Sequence, residues 1–154
     1  MVINVPGGDI FTHNNFDAII CPVNCRGVMG KGLALECKKR YPELLPNYQT
    51  ACAQGLLKPG HVFMVWCTDS VTNKRVLIIC LATKDDWRNP SQLMWIRDGI
   101  CNLVKFINQY NSSYAESAGA IRTIAVPMLG CGCGGLNRND VENINVNCLD
   151  RVPE

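Results

Sequence analysis

The chain has 154 residues, 47% of them apolar and 18% charged, with a formal net charge of +2. That balance excludes a disordered chain and suits one domain, residues 1–154, with a core of its own. The basic clusters Lys38-Lys39-Arg40 and Lys74-Arg75 are short and give no basis for tight, sequence-independent nucleic-acid binding, although weak contact with a strand that carries the true substrate stays open.

In chain order the sequence alternates strand and helix signals. "MVINV" (1–5) reads as a short strand followed by the "PGG" turn, and "DAIICPVN" (17–24) as a longer apolar strand. "CRGVMGKG" (25–32) carries three glycines and reads as a loop or helix entry. "LALECKKRYP" (33–42) continues as a helix stopped by Pro42, and a second helical piece runs through "ELLPNYQTACAQG", with Gly55 as its C-cap. "HVFMVWC" and "VLIICLA" are two more apolar strands, and the polar "TDSVTNKR" between them suits a hairpin loop. Ser91 is placed to N-cap the next helix, whose Leu93, Ile96, Ile100, Leu103, Val104 and Ile107 form one apolar stripe. "NSSYAESAGA" (111–120) reads as a surface loop and "IRTIAVP" (121–127) as a strand. "MLGCGCGGL" (128–136) is a second glycine-rich loop. This order implies an α/β layered domain.

No stretch approaches the ~18–20 uninterrupted apolar residues of a membrane helix. The first residues show no signal-peptide pattern, so the expectation is a cytoplasmic protein without a membrane partner. The ten cysteines are then reduced thiols, with Cys21, Cys67 and Cys80 as small core residues. Zinc is the alternative, but Cys131-x-Cys133 is shorter than the usual ligand spacing and His13 and His61 lie far off. The expectation is no metal and no cofactor.

In open α/β sheets ligands bind beyond the carboxyl ends of strands. "CRGVMGKG", "TKDDWR" and "MLGCGCGGL" each follow a strand. The "GCGCGG" run could cradle a diphosphate on backbone N–H groups, or could be a tight turn; it is neither a Walker loop nor a dinucleotide fingerprint. Asn24 could meet a ribose hydroxyl or cap the turn after it. Asp9 could accept from an adenine amine or cap a short turn. Trp87 and Arg88 could pack over a site or simply over the surface. Lys84 ends a strand either where the chain meets water or where an amine acts on a substrate.

The set "GGDIF" (7–11), "PVNCRGVMGKGLALECKKRYPE" (22–43), "LATKDDWR" (81–88) and "VPMLGCGCGGL" (126–136) resembles macrodomains, and within them the DarG branch. Those are antitoxins that remove ADP-ribose from thymidine bases in DNA, related to the terminal ADP-ribose protein glycohydrolase. The resemblance runs from residue 1 to about residue 150. It implies a three-layer α/β/α fold with a mixed central sheet, ADP-ribose as ligand, ADP-ribosylated single-stranded DNA as substrate, and a DarT-type toxin as functional partner. Asp9 and Ile10 would meet the adenine. Gly27, Val28, Met29, Gly30, Lys31 and Gly32 would wrap the distal ribose and phosphate. Leu129, Gly130, Cys131, Gly132, Cys133, Gly134, Gly135 and Leu136 would hold the diphosphate and ribose, with Thr83 and Pro127 lining the same ligand. Lys84 matches the catalytic lysine, and Asn24 would assist it beside the distal ribose. A lysine nucleophile attacks as the neutral amine, which helix N-termini and Arg88 would favour. The protein-deacylating relative carries an acid where this chain aligns Gly134, which favours a DNA substrate. The family fold closes with a strand after its last helix, and here that edge strand is expected to be missing. A non-catalytic ADP-ribose-binding module, or a hydrolase of ADP-ribosylated protein, are the competing readings.

Overall fold

The computed structural model describes residues 10–11, 16–114 and 119–149. The strand expected at 1–5, Asp9, and the residues beyond 149 lie outside this set. Among the described residues four strands form one mixed sheet: β1 (Ala18–Val23), β2 (Val62–Thr68), β3 (Arg75–Ala82) and β4 (Ile124–Ala125), in the order β2-β3-β1-β4. β1 pairs in parallel with both β3 and β4, while β2 and β3 form the expected antiparallel hairpin.

Alternation along the strands sorts the core into two layers. Ile19, Cys21 and Val23 sit beside Ile78, Cys80 and Ala82 in register and pack, with Val65 and Cys67, under helices α1 (Gly32–Arg40) and α2 (Leu44–Ala53). Ala18 and Ile20, with Leu77, Ile79 and Leu81, face the other way, onto α3 (Leu93–Tyr114) and α4 (Arg138–Leu149). The stripe Ile96, Ile100, Leu103 and Ile107 is at most 1% exposed, as its spacing demands. The architecture is therefore three layers, α/β/α. The thiols of Cys21, Cys67 and Cys80 are core groups; burial pushes Cys67 up to about 12, so it does not ionise near neutrality.

Gly55 closes α2 in the left-handed region (φ +70°), with Leu56 N–H bonded to Ala51 O and Gly55 N–H to Cys52 O. Three local expectations are corrected. α3 starts at Leu93, and the Ser91 hydroxyl, buried, has no hydrogen-bond partner among the described residues, so Ser91 does not cap the helix. α3 continues through 111–114, part of the stretch expected to be loop, because Asn111 clasps Ile121 by two reciprocal bonds of 2.7 and 2.9 Å. The strand expected over 121–127 shrinks to Ile124–Ala125, because the Asp17 carboxylate takes the N–H groups of Arg122 and Thr123 (2.7 and 2.9 Å).

Candidate functional site

Three loops meet where the sheet's parallel strands end. After β1, Asn24 turns the chain with its own amide: Oδ1 accepts from Arg26 N–H (2.9 Å) and Nδ2 donates to Val28 O (2.7 Å). Met29, 2% exposed, anchors the loop in the core, while Val28, Gly30 and Lys31 face outward. α1 then opens at Gly32 with Lys31 at its N-cap making no side-chain bond, so its first N–H groups are left for solvent or an anion. Both ends of the Asn24 amide are thus engaged within its own loop. This is the Asx-type turn, one of the two roles the sequence left open for Asn24.

Two residues that sequence reasoning missed brace this loop from α2. The Tyr48 hydroxyl, fully buried, lies 2.6 Å from Asn24 O and 2.9 Å from Asn24 Oδ1, and Gln49 donates to Gly27 O at 3.2 Å. Burial pushes the Tyr48 phenol well above its usual range, so it stays a donor. No local motif marks it; a helical tyrosine reads as core until the fold shows what its hydroxyl meets. We expect Tyr48→Phe to cost about 1–2 kcal/mol by stranding buried acceptors, read as a lowered thermal midpoint.

After β3, Thr83 is buried and its N–H bonds Val23 O (3.0 Å), which fixes where Lys84 emerges. Cys25 ties the first two loops together, its N–H to Asp85 O (3.0 Å) and its Sγ to Lys84 O (3.3 Å). Its thiol, pushed up to about 12 chiefly by burial, is no competing nucleophile. The half-buried Lys84 donates from Nζ to Cys133 O at 2.8 Å and lies 3.4 Å from Trp87 O. The amine thus touches the second glycine loop, 49 residues away.

Asp86 organises the rest of this segment. Its carboxylate accepts from Arg88 N–H (2.9 Å), Nε (2.9 Å) and Nη2 (2.6 Å), with Arg26 Nε at 3.8 Å. The Arg88 bonds hold its carboxyl well below the usual carboxylate range. Arg88 is therefore committed to Asp86, which corrects its expected role as the positive neighbour of Lys84. A folded-state pKa below the unfolded 3.8 means that Asp86 stabilises the fold above that value and loses the effect as pH falls toward the depressed one. Asp86→Asn should melt below wild type at neutral pH and converge on it in strong acid; parallel melting curves at every pH would refute this.

The third loop is shaped by close approach. At Gly134 an added Cβ would collide with Gly130 O and Ser91 Oγ, and Gly134 O accepts from Ser91 N–H at 3.0 Å. Gly130 takes a left-handed backbone (φ +73°), and a Cβ there would sit 2.8 Å from Leu136 Cδ1. Leu129 is fully buried, and Leu136 N–H returns to Gly130 O at 2.9 Å. The N–H groups of Gly132, Cys133 and Gly134 donate to no described residue, three consecutive donors suited to phosphate oxygens. Gly132, Cys133 and Gly135 are exposed, Pro127 and Cys131 half-buried.

So Asn24, Gly27 to Gly32, Thr83, Lys84 and Leu129 to Leu136 converge. Ile10 does not join them: it lines a cavity of about 60 Å³ with Tyr41, Asp69, Thr72 and Arg75 at the opposite end of β1 and β3. Asp9 lies outside the described residues. Among the described residues no three His, Cys, Asp or Glu side chains are grouped to hold a metal.

A family model described as "Macro domain" matches residues 20–145. The DNA ADP-ribosyl glycohydrolase of Mycobacterium tuberculosis is 37% identical over 153 residues, which is 99% of this chain and 40% of that protein. A DNA ADP-ribosyl transferase-DNA ADP-ribosyl glycohydrolase fusion protein of Thermosipho africanus is 30% identical over 142 residues, 84% of this chain and 34% of the relative. The solved macrodomain of Mycobacterium tuberculosis DarG superposes with a TM-score of 0.83 at 37% identity, over 99% of this chain and 92% of that one. The chain spans about 40% of the length of the first of these curated relatives.

Proposed function

The chain belongs to the Macro domain family, and from that premise we propose that it is a glycohydrolase that removes ADP-ribose from thymidine bases of single-stranded DNA. The observation that carries the reading is the Lys84 amine, held where both glycine loops converge and in contact with Cys133 O. The name of the Mycobacterium tuberculosis relative supports the same reaction.

In this reading the N–H groups of Gly132, Cys133 and Gly134 and the open N-terminus of α1 hold the diphosphate, and Gly27 to Gly32 enclose the distal ribose. Lys84 acts beside C1 of that ribose, where the base is attached, by attack on C1 or by stabilising the negative charge that develops on the departing base. Asn24 and Tyr48 keep the first loop in shape. The Gly134 contacts leave no room for an acidic side chain there, which supports a base-linked substrate over an acyl-linked one. The fusion relative supports a DNA ADP-ribosyl transferase, of the DarT type, as the source of the substrate. A cytoplasmic setting goes with this reading, since ten free thiols suit a reducing compartment; no helix among the described residues is long and apolar enough to cross a membrane.

The test is release of ADP-ribose, followed by chromatography, from a thymidine oligonucleotide modified by such a transferase, beside a glutamate-ADP-ribosylated protein. Release from the DNA alone is the expected result. Release from the protein alone would move the substrate to acyl linkages, and binding without release would make the chain a reader.

A further inference from the structure

We propose that Trp87 is the platform on which the modified thymine stacks while its bond to ADP-ribose is cleaved. The inference rests on the glycohydrolase reading above and supplies it with a leaving-group subsite.

Trp87 stands one contact from the amine, its carbonyl 3.4 Å from Lys84 Nζ. A base bonded to the ribose carbon that Lys84 meets begins one bond from that carbon, so its ring must lie beside this segment. Trp87 is 53% exposed, a large apolar surface that the fold leaves in water. It does not hang on a loose loop. The three bonds from Arg88 to Asp86 clamp the residues on either side of the indole, and Cys25 ties the preceding Asp85 to the first loop. The Arg88 guanidinium lies over the Trp87 ring at 5.4 Å, and the Arg88 side chain is 67% exposed. A rigid indole with the Asp86-bound arginine stacked against it can hold a base flat, and aromatic stacking of this kind holds single-stranded nucleic acid without a long basic tract.

This fits the charge of the segment. Arg26, Lys84 and Arg88 outnumber Asp85 and Asp86 by one, and Arg26 is partly drawn to Asp85 at 3.4 Å. Such a margin suits a short contact at the modified nucleotide, not a groove for a long strand. An acyl-linked side chain has no aromatic ring to place on the indole. Stacking therefore separates a base from an acidic residue at the same carbon. In the overall hydrolysis the bond from C1 to the thymine nitrogen breaks, the base keeps the bonding pair and gains a proton, and the hydroxyl of water ends on C1. A base held flat against the indole keeps its geometry through that change.

The experiment has two arms on the full chain. In the kinetic arm, Trp87→Ala should lower kcat/KM on the modified oligonucleotide by roughly ten-fold or more, and Trp87→Phe should recover most of it. In the binding arm, a Lys84→Ala protein whose Trp66 and Trp95 are changed to Phe reports Trp87 fluorescence alone. Its emission should be quenched by the modified oligonucleotide and not by free ADP-ribose or the unmodified strand. An unchanged Trp87→Ala rate, an absent quench, or an equal quench by ADP-ribose or by the unmodified strand would each overturn the platform. If the wild-type chain releases nothing from the modified oligonucleotide, the glycohydrolase reading falls and the platform with it; normal wild-type release beside an unaffected Trp87→Ala variant removes the platform alone.

Discussion

Replacing Lys84 with alanine should lower ADP-ribose release from modified DNA roughly a thousand-fold, about 4 kcal/mol of barrier, while ADP-ribose binding stays close to wild type. The asymmetry follows from the geometry. In the proposed reading the diphosphate donors are backbone N–H groups of Gly132, Cys133 and Gly134 and of the start of α1, none of them an atom of the lysine side chain. What the variant loses is the amine itself and its 2.8 Å bond to Cys133 O. Lys84→Arg divides the two modes of assistance. It keeps the charge and hydrogen-bond donors but is a poor nucleophile, so substantial retained activity would assign Lys84 an electrostatic role and a deep loss would assign it attack. Parallel turnover and titration of ADP-ribose by calorimetry check both points. Full activity in the alanine variant would remove Lys84 from the reaction.

A side chain at Gly134 should be the most damaging substitution in the binding loops. Even a methyl group would meet Gly130 O and Ser91 Oγ, and the first of these is backbone that cannot swing aside. Gly134→Ala is expected to cost about 2–3 kcal/mol by overpacking, a fall in thermal midpoint of roughly 4–12 °C for a chain of this size. ADP-ribose affinity should fall with it, since relief of the clash displaces the N–H groups to which the proposed reading assigns the phosphates. Adding Ser91→Ala should restore only part of the loss, because the Gly130 carbonyl remains. If the double variant recovers fully, the Ser91 hydroxyl and not the carbonyl sets the limit. Calorimetric melts and ADP-ribose titrations of the two variants decide it.

Much of the scaffold was legible because its signals are local. The α3 stripe, the two-residue alternation that divides the strands between two cores, and the left-handed Gly55 at the end of α2 each follow from the chain's own period or stereochemistry. The errors came where a polar group had a distant partner. Asp17 shortened β4 from more than a hundred residues away, and Asn111 reached Ile121 to prolong α3. Ser91 resembled a helix cap in its neighbourhood, yet the fold presses it against Gly134.

By itself, then, the sequence determined the layered α/β class, the two glycine loops and a lysine at the tip of a buried strand, since periodicity and glycine's steric freedom act over a few residues. Only the tertiary structure decided what those parts do to one another. It turned the Asn24 amide inward onto its own loop under Tyr48, committed Arg88 to Asp86, and placed the Lys84 amine on Cys133 O. A hydrogen-bonding group takes whichever partner the packed layers bring within about 3 Å, and that choice is made by elements that no local pattern relates.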